Sequence, residues 1–194
     1  MKVGILALQG DFAAHARALR RLGAEAVAVR KPEELTALDA LVLPGGESTA
    51  MLRAIDRDGL APPLRALLAS GRSVLGTCAG LILLAHAVSR PVQRSFDVLD
   101  VDVERNAYGT QVDSFRTVAD AGGAFPGLEV VCIRAPKIVR VGPAVEVLAR
   151  VEGDPVLVRA GALWGATFHP ELGGDDRVLT AWLPAHQAAR HTAL

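Results

Sequence analysis

The chain has only two cysteines, Cys78 and Cys132, and no C-x-x-C pair. That scarcity excludes a disulfide framework and a cysteine-built zinc site, leaving one bridge between the two as the only geometric possibility. An excess of either charge is missing as well, because 21 Lys and Arg balance 21 Asp and Glu. The protein has no electrostatic draw toward nucleic acid or anionic lipid, so neither is an expected partner. Long apolar runs are also absent. The longest uncharged stretch, Ser73 to Ser89, contains His86 and two glycines and is shorter than the ~20 residues of a membrane span. At the N-terminus the apolar part, Val3 to Leu8, is too short for a signal peptide and no small-residue cleavage site follows. The expected location is the cytoplasm.

What is present suits an ordinary globular protein. Hydrophobic residues make up 51%, charged residues 22%, and 19 Gly with 11 Pro supply turns. A length of 194 residues suits one domain spanning 1–194. In the first half, short β-rich runs alternate with helical patterns: "KVGILAL", "FAAHARALRRL", "AEAVAVR", "DALVLPG", then helices from about Thr49 and from about Pro62 to Ala69. This rhythm predicts a mostly parallel sheet covered by helices. Phe12, Leu19 and Leu22 fall on one face of the first helix, with Asp11 placed to cap it and Gly23 to end it. After Ser89 the runs "VQRSFDVLDVDVERN", "EVVCIRA", "VEVLARVEG", "PVLVRAG" and "ALWGATFH" predict antiparallel strands. A final helix from Asp175 to about Gln187 meets Pro184, which ends or kinks it.

Between two of the apolar runs lies "GTCAG", Gly76 to Gly80. G-x-C-x-G at a strand-to-helix junction is the thiol form of a nucleophile elbow: the glycines permit the tight turn, and the helix that follows favours the thiolate. Cys78 is the candidate nucleophile, with a small buried hydrophobe as the alternative reading. Cys132, within "VVCIR", is expected in the core. Of the five histidines, His15 and His86 are expected on helices and His186 and His191 in the tail, all explained by packing or solvent. His169 differs, because Pro170 favours an extended backbone that sets His169 and Glu171 on the same side. A carboxylate there would orient the imidazole, completing a Cys78, His169, Glu171 triad. A third segment, "LVLPGGEST", ends a strand in two glycines and places Ser48 to cap the next helix. It has no Walker pattern. The backbone N–H of Gly46, with that of Ala79, could form an oxyanion hole; a plain turn with a capped helix is the alternative.

Read together, these segments resemble class I glutamine amidotransferases, whose hallmarks are the G-x-C-x-G elbow and a later H-P-E. "LALQGDFAAH", "LPGGESTAM", "GTCAGLILLA", "VERNAYGTQVDSF", "IRAPKI" and "FHPEL" are similar to the glutaminase subunits of pyridoxal 5′-phosphate synthases over almost the whole chain. The resemblance implies a three-layer α/β, flavodoxin-like fold with a mostly parallel central sheet and additional antiparallel strands in the second half. It implies hydrolysis of L-glutamine to glutamate, with ammonia passed to a barrel-shaped synthase subunit in a large hetero-oligomer. Pyridoxal 5′-phosphate would be the product of that complex, and no cofactor or metal is expected on this chain. By the same resemblance Cys78 is the nucleophile, His169 the acid/base and Glu171 its orienting carboxylate. Gly46, Glu47, Ser48, Arg105, Ile133 and Arg134 would contact substrate, and Gln9 and Gly10 would lie near the partner interface. Asp97, Asp100 and Asp102 stand where the family more usually shows apolar residues. A subunit serving another amidotransferase, a thiol peptidase of related fold, and a silent binding module of the synthase complex are the competing readings.

Overall fold

A computed structural model describes residues 1–10, 12–105 and 115–183. In chain order its elements are β1 (Lys2–Leu6), α1 (Phe12–Arg21), β2 (Glu25–Val29), a 3₁₀ turn (Pro32–Leu35), β3 (Ala40–Leu43), α2 (Ser48–Arg57), α3 (Ala61–Ala69), β4 (Ser73–Thr77) and α4 (Ala79–Leu84). The second half adds β5 (Ala85–Ser89), β6 (Leu99–Glu104), β7 (Phe115–Ala119), β8 (Leu128–Cys132), β9 (Lys137–Val141), β10 (Glu146–Val151), β11 (Asp154–Ala160), β12 (Leu163–Ala166) and α5 (Arg177–Trp182). Asp11, residues 106–114, Pro184, His186 and His191 lie outside the described residues.

The main sheet has seven strands in the order β10-β11-β12-β4-β3-β1-β2. From β12 to β2 neighbouring strands run parallel, whereas β10 and β11 add antiparallel at one edge. The expected mixture is therefore present, with the antiparallel strands drawn from the second half. Central strands are buried on both faces, as parallel sheets require. Successive residues of β3 alternate between two cores: Leu41 and Leu43 join one, Ala40 and Val42 the other. The first core packs under α2, α3, α4 and a three-stranded sheet, β5-β6-β9; the second under α1, α5 and the β7-β8 hairpin. Three layers result.

Local chemistry explains most element boundaries. Leu19 is buried in the second core and Phe12 and Leu22 are partly buried against it. Gly23, at φ +78°, turns the chain out of α1, and Gly23 and Ala24 donate N–H groups to the carbonyls of Arg20 and Leu19. Pro62 and Pro63 sit in the first turn of α3, where missing N–H groups cost nothing.

Three expectations need correction. His86 is not on a helix: α4 stops after six residues at Leu84, and His86 is an exposed residue of β5 that pairs with Asp97 at 2.6 Å. The short strands β7 and β9 were not anticipated, and only Leu99–Glu104 of the long "VQRSFDVLDVDVERN" run is a strand. Ser48 does not cap α2. Glu47 does, its carboxylate accepting from the N–H groups of Thr49 (3.1 Å) and Ala50 (2.7 Å), while Ser48 opens the helix itself. Cys78 and Cys132 are both free thiols, in keeping with a chain that has no disulfide framework. Asp100 and Asp102, unusual for the resembled family, form a surface ion-pair cluster with Arg140.

Candidate active site

β4 sits in the middle of the sheet, and the chain leaves its end at Thr77 to enter α4 at Ala79. Cys78 makes the turn with φ 48° and ψ −104°, a conformation that L-residues other than glycine rarely adopt. The flanking glycines make this possible: a Cβ at Gly76 would lie 2.7 Å from the backbone of Gly80, and one on Gly80 would strike the Leu43 carbonyl. Thus "GTCAG" lets α4 lie directly on β3 and β4, and the cysteine is lifted to the end of the sheet. Cys78 donates its N–H to Ala166 at 2.8 Å, tying the elbow to β12, and its Sγ lies 3.9 Å from the Ile133 carbonyl oxygen.

β12 is the parallel neighbour of β4, so the residues that follow it emerge beside the cysteine. His169 is anchored by its N–H to the Val131 carbonyl at 3.0 Å. Its Nδ1 lies 2.8 Å from Glu171 Oε1, as the i, i+2 spacing predicts. Both residues are buried, at 7% and 6% exposure. Burial works against the imidazolium, but hydrogen bonds to Cys78 and Glu171, together with their negative charge, prevail and push the pKa of His169 up to about 10. For Glu171 burial favours the neutral acid, and His15 and His169 overcome it to hold the carboxyl below its ordinary range. Cys132 is 3% exposed, and burial followed by the nearby Cys78 pushes its thiol up to about 11. It is the core thiol expected.

Cys78 and His169 open onto a cavity of about 270 Å³ whose wall includes Gly46, Glu47, Ser48, Arg105, Ile133 and Arg134. That volume suits a ligand of amino-acid size, just below the ~300 Å³ at which drug-sized sites begin. All six predicted contact residues are brought together. Arg134, like Cys78, is held at positive φ (44°). Arg105 Nη2 donates to Glu47 Oε1 at 3.0 Å, so a cation and an anion stand side by side at the rim. Ala79 follows the nucleophile at the start of α4 and is 1% exposed. Gln9 and Gly10 lie against the paired glycines: a Cβ at Gly46 would be 3.3 Å from the Gln9 carbonyl oxygen, and Gly10 packs on the Gly45 carbonyl. Among the described residues no group of three or more His, Cys, Asp or Glu could hold a metal ion. Nor is any described helix long and apolar enough to cross a membrane.

Three contributors were not anticipated. Gly45 lets the His169 ring pass where any Cβ would collide with it. Gln93 Oε1 accepts from Ser48 Oγ (3.0 Å), Thr49 Oγ1 (3.1 Å) and Arg105 Nη1 (2.7 Å), binding the start of α2 to the arginine. His15, expected only to pack, reaches Glu171. The doubled glycine was a visible signal for the first; the other two depend on residues distant in the chain.

Fold and site together define a class I glutamine amidotransferase domain. The sequence pattern of the SNO glutamine amidotransferase family matches residues 5–186, and the chain belongs to that family. Its relatives include the pyridoxal 5′-phosphate synthase subunit PdxT of Koribacter versatilis, 51% identical over 92% of both chains. The PdxT of Frankia casuarinae is 53% identical over 91% of this chain and 90% of that one. Among solved structures, a glutamine amidotransferase at 45% identity superposes with a TM-score of 0.88 over 95% of this chain and 98% of its own. PurLQS from Thermotoga maritima, at 18% identity and a TM-score of 0.67 over 95% of this chain and 97% of its own, shares the fold.

Proposed function

We propose that this chain is the glutaminase subunit of a pyridoxal 5′-phosphate synthase, acting as one domain with Cys78, His169 and Glu171 as its reacting set. The observation that carries the proposal is the strained Cys78 elbow opening onto the same cavity as His169, whose Nδ1 is 2.8 Å from a buried carboxylate. The Cys78 thiolate attacks the side-chain amide carbon of L-glutamine, and the backbone N–H groups of Gly46 and Ala79 hold the oxyanion. His169 gives its proton to the departing ammonia, leaving a thioester on Cys78. The same histidine then takes a proton from water, which attacks the thioester; glutamate leaves and the thiol is restored. Every atom comes from glutamine, water and the side chains, so the chemistry calls for no cofactor.

The rim suits the substrate's other end. Arg105 and Arg134 match the α-carboxylate, Glu47 matches the ammonium, and Ser48 and Ile133 complete the wall. Ammonia passes to a barrel-shaped synthase subunit in a large hetero-oligomer, with Gln9 and Gly10 near the docking face. Their contact with Gly45 and Gly46 gives docking a direct way to adjust the oxyanion site. A cytoplasmic setting agrees with two free thiols, one of which must stay reduced.

The test is glutamate release from glutamine by the chain alone and with the synthase subunit of the same genome. Partner-stimulated release that disappears in Cys78→Ala is expected. Full activity of Cys78→Ala in the complex would overturn the assignment.

A further inference from the structure

The buried face of α1 is made of small and apolar residues, Ala14, Ala16, Ala18 and Leu19, with one polar interruption, His15. His15 is 0% exposed. Its Nε2 lies 3.3 Å from Thr77 Oγ1, on the residue before the nucleophile, and 3.4 Å from Glu171 Oε1. That same oxygen is 2.8 Å from His169 Nδ1, so a single carboxylate atom stands between two imidazoles. Among the described residues Glu171 Oε2 has no hydrogen-bond partner, and the side chain is entirely out of water. An ionised carboxylate so placed is costly unless donors converge on it. The carboxylate can only accept, so a proton on His15 Nε2, shared in the hydrogen bond with Thr77 Oγ1, also faces Glu171 Oε1 at ion-pair distance.

We propose that His15 is a positioning residue of the triad, an N–H dipole behind Glu171 that keeps the carboxylate charged and aimed at His169. The inference rests on the reading of Cys78, His169 and Glu171 as the reacting set. Its consequence is electrostatic. The titratable groups acting on Glu171 are His15 from α1 and His169 from its own segment; those acting on His169 are Glu171 and Cys78. Removing the His15 donor leaves burial less opposed, so Glu171 takes up its proton at higher pH and stops supporting the imidazolium. A residue that merely filled space would leave that titration where it was.

Two substitutions separate these roles. His15→Leu keeps apolar volume and removes the donor, whereas His15→Gln returns an amide N–H near the position of Nε2. Two readouts are needed: the pH profile of kcat/KM for glutamine in the complex with the synthase subunit, and the pH dependence of Cys78 alkylation by iodoacetamide, resolved by peptide mass. For His15→Leu we expect kcat about 10- to 100-fold lower, KM nearly constant, and the acid limb of both profiles about one pH unit higher, the tenfold equivalent in charge-state bias. His15→Gln should recover most of the rate and return the limb toward wild type. If folded His15→Leu keeps both profiles unmoved, or if His15→Gln is as impaired as His15→Leu, the positioning role is wrong. Should His15→Leu fail to fold, His15→Gln against the shorter His15→Asn decides, and equal acid limbs overturn the proposal. Alkylation needs no substrate. A wild-type complex that released no glutamate, yet whose Cys78 alkylation still followed His15, would refute the glutamine reading and leave the positioning role standing.

Discussion

Gly45→Ala tests the geometry through a residue that takes no part in bond making. Gly45 is not among the glycines held at positive φ, so alanine is strained there by space alone. Its Cβ would lie 3.2 Å from His169 Nδ1 and 3.3 Å from Nε2, and closer still to Cε1 between them. Carbon atoms settle at ~3.5–4.0 Å, so the ring must retreat by about 1 Å. It has little room, because the imidazole is bound to Glu171 at 2.8 Å and 93% of His169's surface is covered. Retreat breaks that charge-assisted bond, worth ~1.5–3 kcal/mol, which corresponds to about 10- to 150-fold in rate. A misplacement of about 1 Å costs ~10²-fold by independent reckoning. Steady-state glutaminase assays of the complex should therefore show kcat about two decades lower with KM within about threefold, in a protein that still unfolds cooperatively. A Gly45→Ala complex with kcat within threefold of wild type would refute the claim that this glycine exists to seat the histidine.

Two further outcomes follow from the same contacts. Gln93→Leu removes the shared acceptor that holds Arg105 at 2.7 Å and the start of α2, so KM for glutamine should rise about tenfold while kcat changes little, since a hydrogen bond to a charged group is worth ~1.5–3 kcal/mol; an unchanged KM would remove Gln93 from the site. The pH dependence of stability has a definite sign. With its pKa raised from 6.5 to about 10, His169 contributes stability that is complete below about pH 6.5 and is lost as pH rises through about 10. Glu171, held low, contributes above the ordinary carboxylate range and loses its contribution as pH falls through its lowered value. In urea titrations the stability gap between wild type and Glu171→Gln should therefore narrow from pH 6.5 toward pH 10, and a constant gap would contradict the coupling.

The parts of the molecule legible in the sequence were those encoded by neighbours in the chain. The alternation of β3, the glycines around Cys78 and the i, i+2 step from His169 to Glu171 are short-range patterns whose geometry follows from backbone stereochemistry. β5 was not legible because no glycine or proline separates the apolar run Leu81–Leu84 from the residues after it, and periodicity alone cannot tell a short buried helix from a strand. β7 and β9 are five-residue strands; β9 pairs with β6, more than thirty residues back, and β7 pairs with β8 across an irregular connection. Glu47 rather than Ser48 caps α2 because the carboxylate reaches two N–H groups at once, and local sequence permits either. His15 sits 156 positions from Glu171 (171 − 15), and nothing along α1 announces a carboxylate across the fold.

The parallel pairing of β4 with β12 has a consequence for how the reaction tolerates sequence change. Cys78 and His169 are 91 positions apart (169 − 78), yet each emerges from the end of one of two adjoining strands, and Gly76 pairs directly with Gly165 in the register between them. The separation of sulfur and imidazole is therefore inherited from the ~4.8 Å repeat of backbone hydrogen bonding, a length that no side chain sets. Side-chain substitutions that keep the strand pairing leave that repeat in place. Reactivity here is stored in the spacing of the peptide lattice, and the side chains around the cavity decide which molecules are brought to it.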